Sequence, residues 1–522
     1  MVWKPVVLVS FAFCWIAGVA SATEKRPNVI IFLADDLGWS DVSMHGSRIE
    51  TPSIDRIAKE GVELTRFYAA PICSPTRAAL MTGRDPMRLG VSYGVVMPWS
   101  NNGVHPDERF IAQAFSDAGY QTAITGKWHL GHSQDRFTPR RRGFDHFYGH
   151  LHTEVGYFPP FGAQGGKDFQ RNGVTVDEDG WEPWLISDEA VKWIRGRDKE
   201  RPFFLYMPYL SPHTPLDAPQ ELQDKYASLD DDREPARSTS DWSRWMKYVG
   251  IQSLRQMYAA VVDGMDQGIG RVLAVLDEEG IADDTIVLVL SDNGGQVTFG
   301  AGGAENAPYR GGKAETFEGG IRVVAAMRWP DVLEGGREMG QIMTVMDVFP
   351  TLMAAAGIEP AEHKPFDGID MWDAVATNKE VSRDGYVYFA SEVPRPGSLQ
   401  FTAFDEDWKL VQQIEQDFSS TTVTNLLFHI SEDPYEFNNL AQAEPRRVAK
   451  MAKAIEEWRG IHPSNGIRQK LVPPPGWSAP LDWASYPRKD EELQDTEAWG
   501  MAPTEFIKKL LDFQDRERLI YD

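Results

Sequence analysis

Apolar residues in this chain fall into short uninterrupted runs. Residues 28–33 (Asn-Val-Ile-Ile-Phe-Leu), 203–207 and 285–290 (Thr-Ile-Val-Leu-Val-Leu) show no alternation with polar positions, and the more mixed 121–125 (Gln-Thr-Ala-Ile-Thr) reads as a further strand. Such runs are those of strands buried on both faces. Between them lie helical patterns at 53–61, 109–118 and 254–279, closing at Gly61, Gly119 and Gly280, where glycine tolerates the left-handed turn that stops a helix. Strands alternating with helices predict an α/β fold, a large sheet sandwiched by helices.

The texture changes after about residue 375. Residues 386–389, 399–404, 408–411 and 426–430 read as short strands joined by tight turns, and a helix follows at 444–459. The pattern predicts a smaller C-terminal α+β domain with an antiparallel sheet over 376–460, after the large α/β domain over 23–375. Residues 461–522 form an extension: Pro473-Pro474-Pro475 and a Trp-rich stretch to about 500 predict an extended wrap, and 503–517 a last helix.

The first 22 residues differ from the rest. Lys4 precedes an apolar run from Val6 to Ala20, and Ala20-Ser21-Ala22 offers small residues for cleavage. The run is short for a bilayer span, so a secretory signal peptide is expected and a membrane span is not. Export, an absence of N-x-S/T sequons and the lack of any intrachain disulfide partner point to a bacterial periplasmic or secreted protein. A formal charge of −24 argues against nucleic acid as a partner. Attraction for an anionic substrate must then be local to a pocket.

Polar motifs follow each apolar run: Asp35-Asp36 the first, Lys127-Trp128-His129 the second, His213 the third and Asp292-Asn293 the fourth. Sites in open α/β sheets form beyond the carboxyl ends of strands, so these four motifs are expected to share one site. Each alone reads as a turn or a satisfied side chain. Together, Asp35, Asp36, Asp292 and Asn293 make an oxygen-only set suited to a hard cation, calcium first and magnesium second. Lys127, His129, His213 and Lys313 add charge-assisted donors. His45, His105, His132 and His146 read as ordinary satisfied histidines.

Removal of the leader leaves one cysteine, Cys73, in Cys73-Ser74-Pro75-Thr76-Arg77-Ala78-Ala79-Leu80-Met81-Thr82-Gly83. A lone thiol serves core packing, metal binding or chemistry. Ser74 and Pro75 suit a helix start, the residues to Met81 are good helix formers, and Gly83 is a stop. Cys73 is thus placed at a helix N-terminus, with Arg77 one turn on and on the same face. Unpaired amides and a guanidinium converge there, as a tetrahedral oxyanion requires.

With these residues assembled, the chain resembles the formylglycine-dependent type I sulfatases of the alkaline-phosphatase-like superfamily. The matching blocks are P-N-V-I-I-F-L-A-D-D-L-G-W at 27–39, I-E-T-P-S-I-D-R-I-A-K-E-G at 49–61, C-S-P-T-R-A-A-L-M-T-G-R at 73–84 and G-K-W-H-L-G at 126–131. S-P-H-T-P-L at 211–216, L-S-D-N-G-G at 290–295, G-G-K-A-E-T-F-E-G-G-I-R at 311–322 and a weaker D-P-Y-E-F-N-N-L-A at 433–441 complete the set. The resemblance implies a large mixed sheet and a sulfuric ester hydrolase. Cys73 would be oxidised to Cα-formylglycine by a formylglycine-generating or equivalent maturation enzyme, and residue 73 would join Asp35, Asp36, Asp292 and Asn293 as a ligand to one calcium ion. The hydrate would attack sulfur beside Arg77 and Lys127, with His213 and Lys313 protonating the departing alcohol and His129 deprotonating the second hydroxyl.

The stretch P-R-R-R-G-F-D-H-F-Y-G at 139–149 resembles the branch that includes arylsulfatase B, a hexosamine 4-sulfatase. The resemblance implies a sulfated oligosaccharide of galactose or N-acetylgalactosamine type, with His150, His152 or Thr153 touching the sulfate. Trp99, Trp181 and Trp184 read either as sugar-stacking or as core residues. Val324 stands where the family commonly has proline, which bears on local loop shape alone. Two further readings remain on sequence: a phosphodiester or phosphonate ester hydrolase on the same scaffold, and a non-catalytic glycan-binding relative.

Overall fold

The computed structural model describes residues 26–162, 164–229, 254–297, 302–359, 361, 363–392, 398–416, 420–467 and 473–486. The signal-peptide reading at 1–22 and the helix expected at 503–517 lie outside these residues.

The molecule is built around a mixed ten-stranded sheet. From edge to edge its strands run Arg337–Met339, Val62–Leu64, Ala325–Arg328, Thr285–Ser291, Asn28–Ala34, Phe203–Pro208, Gln121–Lys127, His146–His150, Gln170–Arg171 and Val174–Thr175. The five strands from Thr285–Ser291 to His146–His150 are mutually parallel, and Ala325–Arg328 joins them antiparallel. Along Asn28–Ala34, Val29, Ile31 and Leu33 enter one hydrophobic core while Ile30, Phe32 and Ala34 enter the other. Alternate side chains therefore each meet apolar neighbours, which is why the run carries no polar alternation. The first core includes Ala78, Ala79, Leu80 and Met81 of the Cys73–Thr82 helix. The second includes the buried faces of Glu182–Gly196 and Leu254–Glu278.

The second sheet has four antiparallel strands in sequence order, Val387–Glu392, Ser398–Asp405, Trp408–Gln416 and Thr421–His429. On one face Phe401, Leu410 and Leu427 pack with Met451, Ile455 and Trp458 of the Pro445–Arg459 helix. On the other, Phe404, Val411 and Phe428 pack against Tyr68, Phe317 and Ile321 of the large unit. Residues 473–486 run as an extended wrap: Trp483 is buried, its N–H groups donate to Lys167 and Gly165 carbonyls, and its ring lies 3.8 Å from that of His152.

Element limits shift modestly from the expected ones. The second central strand runs to Lys127 rather than ending at 125, because His146–His150 pairs beside it as far as the polar residues. The helix expected at 53–61 is Pro52–Lys59, and that at 109–118 is Ile111–Asp117. Val324 is buried and its carbonyl accepts from Ser291 N–H at 3.1 Å, a bond that proline would also allow.

Candidate active site

Three parallel strands end together: Asn28–Ala34 delivers Asp35 and Asp36, Thr285–Ser291 delivers Asp292, and Phe203–Pro208 leads to Ser211 and His213. Asp35 N–H donates to Ser211 C=O and Asp292 N–H to Ala34 C=O, both at 2.9 Å, so the chains stay paired one residue beyond the ladder. Asp36 then turns away with φ 68°. The next strand brings Lys127, whose ammonium reaches Asp35 Oδ2 at 2.5 Å. From the side, the Cys73–Thr82 helix points its first turn at the same place, and Gly83 ends it in the left-handed region (φ 65°), its N–H bonded to Ala79 C=O.

Arg77 is fully buried and ties the set together. One guanidinium nitrogen donates to Asp35 Oδ2 at 2.9 Å and to Asp292 Oδ2 at 3.0 Å, and another to Lys127 C=O at 3.1 Å. Asp36 takes a hydrogen bond from Lys313 Nζ at 2.7 Å and one from Asn293 Nδ2 at 2.7 Å. His213 Nε2 lies 3.7 Å from Asp36 Oδ2, and its Nδ1 faces Thr214 C=O at 2.5 Å. Three buried carboxylates, the buried cations Arg77 and Lys127 and the partly exposed Lys313 thus meet in one place.

Ligand atoms of Asp35, Asp36, Cys73 and His213 all lie within 4.8 Å of one another. Asp292 and Asn293 adjoin this group through Arg77 and Asp36, and the buried Oδ1 of Asn293 has no hydrogen-bond partner. A hard divalent cation fits this donor set, being oxygen-rich and holding an orphaned amide oxygen.

The electrostatics follow from burial and neighbours. Burial opposes ionisation of Asp35, but Lys127, His213, Arg77 and Lys313 together hold its carboxyl well below the usual range. Asp292 is pushed up to about 7 by burial and by the nearby Asp35 charge. Burial, with Asp35 beside it, pushes the Cys73 thiol well up. An unmodified Cys73, its sulfur 3.5 Å from Asp35 Oδ1, would therefore stay a neutral thiol and a poor nucleophile. His129 is held well below the ordinary imidazole value by burial and by Lys127 and Arg77, and neither ring nitrogen has a hydrogen-bond partner. The imidazole is therefore neutral. Asp36, His129 and Ala314 all hold left-handed φ (68°, 59° and 69°), a strain that folds retain where a site requires it.

Residues 27–358 match the family model described as Sulfatase. The chain belongs to the sulfatase family. Mouse Arylsulfatase J is 29% identical over 481 residues, covering 84% of this chain and 76% of that protein. Human N-acetylgalactosamine-6-sulfatase is 30% identical over 460 residues, covering 80% and 82%. Among solved structures, Ps i-CgsB in complex with k-i-k-neocarrahexaose is 30% identical with a TM-score of 0.74, covering 86% of this chain and 96% of that one. The phosphonate monoester hydrolase of Agrobacterium radiobacter, at 18% identity and a TM-score of 0.58, shares the fold. The protein is a sulfuric ester hydrolase.

The structure brings Asp35, Asp36, Cys73, Arg77, Lys127, His129, His213, Asp292, Asn293 and Lys313 to the same end of the sheet, all of them buried except the partly exposed Lys313, and it decides several readings left open around them. Trp181 is buried against Tyr157 and donates to Asp217 C=O, and Trp184 donates to Gly264 C=O. Both are packing residues rather than sugar platforms. His152 is sealed between His132 and Trp483. His150, the register partner of Lys127, keeps a buried Nε2 without a hydrogen-bond partner. Trp99 is half-buried and meets Trp477 edge-on at 5.5 Å. Sequence reasoning missed Ser74, whose hydroxyl donates to His129 C=O and accepts from Val96 N–H. It also missed Glu154, 4.0 Å from His213 Nδ1, which no motif marks.

Proposed function

We propose that this sulfatase is exported and removes sulfate from a glycan of galactose or N-acetylgalactosamine type, with residue 73 as formylglycine beside a calcium ion. The observation that carries the reading is the convergence of Asp35, Asp36, Cys73 and His213 within 4.8 Å, flanked by the cations Arg77, Lys127 and Lys313. Asp35, Asp36, Asp292 and Asn293 would hold the ion, with residue 73 at its edge. As a formylglycine hydrate, residue 73 supplies two hydroxyls in place of one thiol, and the cation lowers the cost of negative charge there.

The chain's own residues then divide the work. Arg77 and Lys127 offset the charge gathering beside Asp35. His213, its Nδ1–H directed at Thr214 C=O, would act as an imidazolium whose second proton, on Nε2, passes to the departing alcohol; burial and Lys313 lower its pKa, while Asp36 and Asp35 favour the charged form. His129, neutral and unpartnered, takes the proton from the second hydroxyl of residue 73, which lets the sulfate leave. A serine in place of residue 73 would lack that second hydroxyl and remain esterified. Among His150, His152 and Thr153, His150 is set beside the sulfate in this reading, because it is the register partner of Lys127 while His152 is sealed by His132 and Trp483; with its Nδ1–H given to His152 C=O, it donates to sulfate only when Nε2 is also protonated.

The sugar assignment draws on the relatives named for N-acetylgalactosamine-6-sulfate and on the solved relative holding a neocarrahexaose. The 139–149 stretch points to the 4-position and the named relatives to the 6-position, so both positions belong in the test. Matured enzyme should hydrolyse 4-nitrophenyl sulfate with a higher kcat/KM than 4-nitrophenyl phosphate. It should also release sulfate from galactose-type oligosaccharides sulfated at position 4 or 6 in preference to glucosamine sulfates. Phosphate preference would favour the phosphodiester reading, and glucosamine preference would overturn the sugar assignment.

A further inference from the structure

The D-P-Y-E-F-N-N-L-A stretch at 433–441 and the four-stranded sheet take no part in the chemistry described above, yet they grip the segment that carries Lys313. Ser391 Oγ donates to Ala314 C=O at 2.7 Å, directly beside Lys313. Gln400 Oε1 accepts from Thr316 N–H at 2.9 Å, and the Thr402 hydroxyl lies 2.8 Å from that of Thr316. Lys409, fully buried, donates to Glu318 Oε1 at 2.9 Å and pairs with Glu436 Oε1 at 2.8 Å. Glu436 in turn accepts from Glu318 N–H at 2.8 Å through its other oxygen, and holds φ 59° to do so. Five side chains from the small sheet and its following loop therefore fix residues 314–318.

On the other side the same segment is locked to the metal-ligand loop. Lys313 N–H donates to Gly295 C=O at 3.1 Å, and Ala314 N–H to Pro71 C=O at 2.8 Å. Ala314 lies in the left-handed region (φ 69°), a conformation that costs an alanine energy and needs outside support. Its carbonyl is the group held by Ser391. A lysine ammonium on a flexible four-carbon stem acts at a fixed point only if its backbone is fixed.

We infer that Ser391, Gln400, Thr402, Lys409 and Glu436 are positioning residues for Lys313, making the small sheet a working part of the active site. The inference rests on the reading in which Lys313 assists departure of the alcohol. It predicts a signature that a purely structural role lacks. Assistance to the leaving group matters greatly for a sugar alcohol and little for nitrophenol, which leaves readily as an anion.

The experiment compares Ser391→Ala/Gln400→Met/Thr402→Val with Lys313→Ala in matured full-length enzyme, on 4-nitrophenyl sulfate and on a galactose sulfate. These substitutions remove hydrogen-bonding groups while roughly keeping side-chain volume, and Ser391→Ala alone is read if the triple variant does not fold. Both Lys313→Ala and the sheet variant should lose at least about tenfold more kcat on the sugar sulfate than on the nitrophenyl ester. If Lys313→Ala shows no such difference, the reading of the site falls and the inference with it. If Lys313→Ala shows it and the sheet variant loses activity equally on both substrates, or on neither, the positioning role alone is overturned.

Discussion

Arg77 is the residue on which the buried charges depend. Its guanidinium bridges Asp35 and Asp292, and all three side chains are inaccessible to solvent. Arg77→Ala would leave two carboxylates facing each other in low dielectric, a cost of about 3–5 kcal/mol for breaking a buried pair. Urea denaturation should show a loss of that order, together with loss of turnover; Arg77→Lys should restore stability in part because it returns the charge without the fork. Glu182 gives a second residue-scale prediction. It is buried, neither carboxyl oxygen has a hydrogen-bond partner, and burial pushes its pKa from 4.5 up to about 8. The folded state therefore holds a proton that the unfolded chain releases. This contribution is fully present below about pH 4.5 and lost as pH rises through about 8, up to about 5 kcal/mol in all. Glu182→Gln should flatten that decline in unfolding free energy, and an unchanged pH slope would show the carboxyl ionises normally. No motif marks Glu182, because its character comes entirely from what packs over it. The charged residues at strand ends were legible for the opposite reason: each stands next to an apolar run that fixes its place.

At the scale of elements, the helix from Cys73 to Thr82 and the central strands follow directly from local sequence. Pro75 and Gly83 bracket the helix, and the apolar runs serve two cores at once. The contacts around Lys313 were not legible, since Gln400, Lys409 and Glu436 lie about 80–120 positions further along the chain. Gly294 shows how tightly two loops are meshed: a Cβ there would fall 1.8 Å from Gly319 C=O. Gly294→Ala should therefore push the Asp292-Asn293 loop from the Lys313 segment. The expected outcome is a weaker affinity for calcium, read by isothermal titration, and a stability loss of about 1–3 kcal/mol. Wild-type calcium affinity in that variant would mean the two loops move independently.

The whole molecule sets a contrast between surface and site. The chain carries a formal charge of −24, while Arg77, Lys127 and Lys313 are confined to the buried site. Long-range repulsion should disfavour a polyanionic chain and leave a single sulfate at a chain end as the preferred target. Screening lengths shorten to about 8 Å at physiological salt. Adding salt should accordingly raise kcat/KM on a long sulfated polymer more than on a short oligosaccharide. Rates that fall with salt on the polymer, or sulfate release from internal positions, would contradict the chain-end reading. Among the described residues no helix is long and apolar enough to cross a membrane.

Every mechanistic step above depends on the state of residue 73. As a cysteine it is a protonated thiol beside a carboxylate, 3.5 Å from Asp35 Oδ1. The decisive measurement is mass spectrometry of the peptide spanning residue 73, on protein made alongside a formylglycine-generating enzyme, with sulfatase turnover measured on the same samples. The account predicts a peptide about 18 Da lighter than the cysteine form, and turnover that rises in proportion to the converted fraction. Full turnover from protein whose Cys73 remains an unmodified thiol would contradict it.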